Sequence, residues 1–127
     1  MTKKQKLAEA LLGYMTAALW SSYNPDNESE EYLDQNYSVE DITESTKKLM
    51  EKDVSKFINK NLDALEKSGL NWEQVGHDFW LTRHHHGAGF WDKSRCLTAK
   101  LGKELSDAAQ KFKEFHLWVD NDEIIGS

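Results

Sequence analysis

The chain has 127 residues and a net charge of −6, from 22 acidic and 16 basic side chains. Hydrophobic residues make up 39%, with five Trp and five Phe, which is enough to bury a core and too many for a disordered chain. No apolar run approaches the roughly 20 residues of a membrane helix, Cys96 has no second cysteine to pair with, and the acidic balance disfavours non-specific binding of duplex DNA.

The basic start, Met1-Thr-Lys-Lys-Gln-Lys6, leads into a stretch interrupted by Glu9 and Gly13. It reads as an amphipathic helix over residues 4–21 and not as a signal-peptide core, so an intracellular protein is expected. Leu7, Leu11, Leu12, Met15, Ala18 and Leu19 form its apolar stripe. Residues 21–37 read as a polar loop holding Pro25, the only proline, with Tyr23, Tyr32, Leu33 and Tyr37 able to pin it to the body. Ser38, with Asp41 three residues on, is a helix-start pair. From 39 to 67 the apolar residues keep a helical period, predicting one long helix, or two joined near Asp53, ended by Gly69. Between Asp26 and Asp53, ten carboxylates stand against Lys47, Lys48 and Lys52. That is either a solvated face or a surface suited to a basic groove that normally holds DNA.

Asn71-Trp-Glu-Gln74 reads as a short capped turn. Residues 77–83 and 90–92 are aromatic and β-favouring around Gly87-Ala88-Gly89, which predicts a β-hairpin. A further helix is expected over 94–113, faced by Leu97, Leu101, Leu105, Ala108 and Phe112. Cys96 falls near its start, beside Lys93 and Arg95, as a small half-buried residue or as a thiol of lowered pKa. Two short strands, 116–120 and 123–125, close the chain around an Asn121-Asp122 turn. The order predicts one α+β domain over residues 1–127: about three main helices packed on a small, mainly antiparallel sheet built from two hairpins.

The segment 77–92 concentrates the titratable groups. On a strand, Phe79, Leu81 and Arg83 would share one side, and Asp78, Trp80 and Thr82 the other. Asp78, Arg83, His86 and Asp92, with the backbone of Gly87 and Gly89, are the candidate anion-binding residues: glycines let the backbone approach an anion and Arg83 supplies charge. The same glycines also serve a tight turn, and the charges also serve internal pairing. His77 and His86 are the candidate acid/base residues, with Asp78 or Asp92 orienting the imidazole. His84 and His86 offer a zinc alternative, although no H-E-x-x-H or cysteine pair accompanies them, so no cofactor is expected. Trp80, Trp91 and Trp118 can stack on bases or pack a core.

His77-Asp-Phe-Trp-Leu-Thr-Arg83 followed by His86-Gly-Ala-Gly-Phe-Trp-Asp92 resembles the hallmark of a family of small tailed-bacteriophage proteins, roughly H-D-F-W-L-T-R-N-G-H-G-A-G-F-W-D. The likeness extends to Ala18-Leu-Trp20, to Asn36-Tyr-Ser-Val-Glu-Asp41 and to the terminal strand pair, and covers most of the chain. His84 and His85 stand where the family has Asn-Gly, and Asn121-Asp-Glu123 where it has Asp-Asp-Gly. The resemblance implies a phage origin, the cytoplasm of the infected bacterium as the place of action, and no particular reaction. Three functions are expected on these grounds. The first is a non-enzymatic accessory protein binding a host or phage protein, or a nucleotide-type anion, through 77–92. The second is an acidic DNA mimic or anti-defence inhibitor using 26–53. The third is a small histidine-dependent hydrolase or nuclease.

Overall fold

A computed structural model describes residues 1–23, 31–86, 88–92 and 97–127. Its elements are α1 (Lys3–Ser21), α2 (Glu44–Ser68), α3 (Trp72–Arg83), α4 (Ala99–Gln110), β1 (Leu117–Asp120) and β2 (Glu123–Gly126). Two 3₁₀ turns, Leu33–Gln35 and Val39–Asp41, join α1 to α2. The α+β class is as expected, but the described residues hold four helices and one hairpin in place of three helices and two hairpins.

The correction falls on the segment expected to form the first hairpin. Asn71 does cap a start, its side chain accepting from the backbone N–H of Gln74 at 2.8 Å. The helix then continues to Arg83 instead of stopping after one turn. Residues 78 to 83 are all buried. A segment covered on every side has no polar stripe to reveal its period, so a buried helix and a buried strand look alike in sequence. Val75 and Phe79, four apart, both enter the core, and Trp80 stacks on His84 four residues on at 3.9 Å between rings.

The exit from α3 is a Schellman motif: His86 N–H donates to Leu81 O at 2.8 Å and His85 N–H to Thr82 O at 3.1 Å. Here the left-handed residue is His85, at φ 54°. A side chain in that conformation carries a steric cost that glycine avoids. His85→Gly is therefore expected to stabilise the protein by about 0.5–1 kcal/mol, read as a raised urea midpoint at unchanged slope. The chain then folds back onto α3: Phe90 N–H donates to Thr82 Oγ1 at 3.1 Å, and at Gly89, with φ 150°, a Cβ would overlap that hydroxyl. Residues 90–92 form a turn and not a strand.

α1 and α3 cross in backbone contact. A Cβ on Gly13 would overlap Glu73 O, and one on Gly76 would overlap Ala10 O. Around this crossing Tyr14 packs on Phe79 (5.3 Å) and edge-on to Trp80 (5.2 Å), while Phe57 of α2 stacks on Phe79 at 4.2 Å. Leu105 and Ala109 of α4 complete the core.

α2 begins at Thr43, whose hydroxyl accepts from Thr46 N–H, and ends at Gly69 as expected. Of the two alternatives, one long helix or two joined near Asp53, the helix runs unbroken through Asp53 and is kinked at Asn61, whose backbone leaves the helical region (φ −125°, ψ 19°) while its amide donates to Phe57 O at 2.9 Å. α4 is shorter than the predicted 94–113, capped by Thr98; Cys96 and the start of that prediction lie outside the described residues. The closing hairpin forms as predicted, with Asn121 and Asp122 at φ 52° and 60° in its turn. It is held at the start of α2 by Thr43 N–H to Ile124 O (3.0 Å) and Gly126 N–H to Thr46 Oγ1 (3.1 Å). None of the described helices is long and apolar enough to cross a membrane.

Candidate functional site

Converting the expected hairpin into a helix redistributes its titratable groups. Successive helical residues turn by 100°, so Asp78 and Arg83 leave α3 on different sides. Arg83 enters the interior. It is only 5% exposed, donates through Nε to Lys113 O and through Nη1 to Tyr14 Oη and Asp53 Oδ2, both at 2.8 Å. Its guanidinium lies 5.4–5.9 Å from the ring centres of Phe79, Phe112 and Phe115. Burial raises the Tyr14 hydroxyl well above the ordinary tyrosine pKa, so it stays a neutral acceptor for Arg83. The residue expected to receive an external anion instead fastens α1, α2 and the α4–β1 connection to α3.

His77, Asp78 and His86 do come together, around Trp20. Trp20 Nε1 donates to His77 Nε2 at 3.3 Å, which puts the imidazole proton on Nδ1, 3.4 Å from Asp78 Oδ1. The Asp78 carboxylate is fully buried and accepts from Gln74 Nε2 at 2.8 Å. His86 is exposed and meets the Trp20 ring edge-on at 5.5 Å. Both His77 nitrogens are thus committed to neighbours within the fold. Gly87 lies outside the described residues.

His84, the other half of the zinc alternative, is engaged with Trp80 and Phe115, whereas His86 lies against Trp20. In one tautomer His84 Nδ1–H donates to Trp80 O at 2.8 Å and Nε2 accepts from Phe115 N–H at 2.9 Å. Among the described residues no three His, Cys, Asp or Glu side chains gather as a metal-holding group. Burial holds the His84 pKa below the ordinary 6.5. The unfolded chain therefore takes up its proton first as pH falls through about 6.5, and stability declines from there toward the lower folded value. His84→Asn is expected to make the fall in Tm between about pH 7.5 and 5.5 shallower; parallel curves would refute it.

Open clefts lie elsewhere. One of about 680 Å³ separates α2 from α4 and is lined by Lys60, Lys67, Lys100 and Lys103, with Asp63, Glu104 and Asp107 among them. A second, of about 440 Å³, continues it past the Asn61 kink, between Lys56, Lys60, Lys111 and Phe112. Lys67 pairs with Asp63 at 3.1 Å and Lys103 with Asp107 at 2.7 Å, whereas Lys60, Lys100 and Lys111 have no ionic partner among the described residues. A third cleft, of about 520 Å³, lies on the other side of Lys103 and Asp107 and is lined by Phe90, Trp91, Asp92, Gly102 and Ser106. Among the described residues predicted for the site, Asp92 is the one that lines any of these three clefts.

The lysine cleft was not anticipated from the sequence, yet it leaves a trace there. Lys56, Lys60, Asp63 and Lys67 follow a 4-3-4 spacing on α2, and Lys100, Lys103 and Asp107 a 3-4 spacing on α4. Each set occupies one face of its helix. Which helix faces which is a matter of tertiary packing, and two amphipathic faces in a chain of net charge −6 carry no sign that they meet. No protein-family model, curated protein or solved structure matches this chain.

Proposed function

We propose that the protein is a non-enzymatic binding protein, acting as a phage accessory factor in the infected bacterium, and that it takes an anionic ligand in the cleft between α2 and α4. The observation that carries this reading is the gathering of Lys56, Lys60, Lys67, Lys100, Lys103 and Lys111 along one continuous depression of an acidic chain. These six lysines stand against the three carboxylates of Asp63, Glu104 and Asp107, and the positive excess that remains costs Coulomb energy, which an anion offsets. The alternatives have less behind them. His77 has both ring nitrogens engaged. In the acidic stretch Asp41 binds Ser38 N–H, Glu31 accepts from Asn36 and Asp53 holds Arg83, so part of its charge is used inside the fold.

Tripolyphosphate is a suitable first probe, since it carries charge without a base or a peptide. It is expected to raise Tm, reaching about 2.7 kcal/mol of added stability at a hundredfold excess over Kd, and to do so less at high salt. Lys60→Glu with Lys100→Glu should remove the shift while the unliganded protein stays folded. No shift in the parent protein, or the same shift in the double variant, would overturn the assignment.

A further inference from the structure

The lysine cleft and the Trp91 cleft share two lining residues, Lys103 and Asp107, which are salt-bridged across one turn of α4. A ligand lying across that turn touches cations on one side and an aromatic surface on the other. Trp91 is the most exposed tryptophan described, at 53%, and its indole makes no ring contact or hydrogen bond among the described residues. Trp20 is engaged with His77, Trp80 with Ser21 and Tyr14, and Trp72 lies beneath Lys6; Trp118 on β1 is also exposed, at 39%, but lines none of the three clefts. An indole left half in water beside a cleft offers a face on which a planar ring can stack. Ser106, 8% exposed, lines the same cleft.

We infer that the ligand is single-stranded nucleic acid, with phosphates following the lysines of α2 and α4 and an unpaired base stacked on Trp91. This rests on the anion reading above and adds the base to it. The combination fits the chemistry of such strands: a cationic groove tracks the backbone and an aromatic side chain takes the face of a base regardless of its identity. A duplex hides those faces, and the acidic remainder of the surface repels its denser charge.

The test is fluorescence anisotropy with a labelled thymidine oligomer of about 12 nucleotides, within the usual range of single-strand site sizes. An abasic strand of the same length and the corresponding duplex serve as comparisons. The oligomer should bind at least about tenfold more tightly than either. Trp91→Ala should remove that advantage while Trp91→Phe keeps most of it, because base stacking on one aromatic side chain is worth roughly ten- to hundredfold. Trp91 is half in solvent, so its loss should leave Tm nearly unchanged, which separates a binding effect from unfolding. Equal binding of abasic and thymidine strands, or an unaffected Trp91→Ala, would overturn the base contact and leave the anion cleft standing. Absence of binding by tripolyphosphate and by every strand would overturn both.

Discussion

Gly76→Ala is expected to lose at least about 3 kcal/mol of stability, although alanine is favoured over glycine in a helix by about 1 kcal/mol. The added methyl would occupy the place of the Ala10 carbonyl oxygen and lie 2.5 Å from its carbon. Those atoms belong to α1's backbone and cannot rotate aside, unlike the side chains that usually absorb overpacking at a cost of about 1–3 kcal/mol. The helices must then separate, and the Tyr14–Phe79–Phe57 stack opens with them. Gly13→Ala, meeting Glu73 O from the other side, should behave alike. Gly102→Ala is the control, because there the nearest backbone atom, Phe90 O, is 3.3 Å away and a shift of a few tenths of an ångström suffices. Urea midpoints that fell equally in all three variants, or rose in Gly76→Ala, would show that the α1–α3 crossing is not held in backbone contact.

Arg83→Ala is the second large effect, expected to cost about 3–5 kcal/mol because it strands partners that its guanidinium satisfies. Tyr14 loses its donor in a fully buried position, Asp53 loses its counter-ion, and Lys113 O loses the bond that ties the α4–β1 connection to α3. Lysine is a poor substitute, since one ammonium cannot reproduce the planar fork that reaches three acceptors. The partnership is measurable: a double-mutant cycle of Arg83→Met with Asp53→Leu should return a coupling of about 1–3 kcal/mol. Retention of full stability by Arg83→Ala together with loss of tripolyphosphate binding would reverse this assignment and restore Arg83 as the anion receptor.

These two positions also separate what was legible in the amino-acid order from what was not. The local punctuation was readable. Gly69 ends α2, Asn71 opens a capped turn, and Asn121-Asp122 makes the hairpin turn, because each depends on atoms within four residues. The segment from Asp78 to Arg83 was misread as a strand because every one of its residues is buried, and burial on all sides erases the periodicity that distinguishes the two structures. Arg83 and His86 sit close in sequence, and a hairpin tip would have presented both to one ligand. On the helix and its Schellman exit, one is interior and the other faces water.

By itself the chain determines the helix end at Gly69, the cap at Asn71 and the turn at Asn121-Asp122, that it can bury a core, and that its charge is unevenly spread. Capping groups, left-handed positions and apolar stripes act over a few residues, so they survive in a linear reading. Tertiary structure alone decided that Gly13 and Gly76 lie at one crossing, that Arg83 is spent on Tyr14 and Asp53, and that the lysines of α2 and α4 share a cleft. Those outcomes depend on contacts between residues 30 to 69 apart, whose energies exist only once the helices have packed.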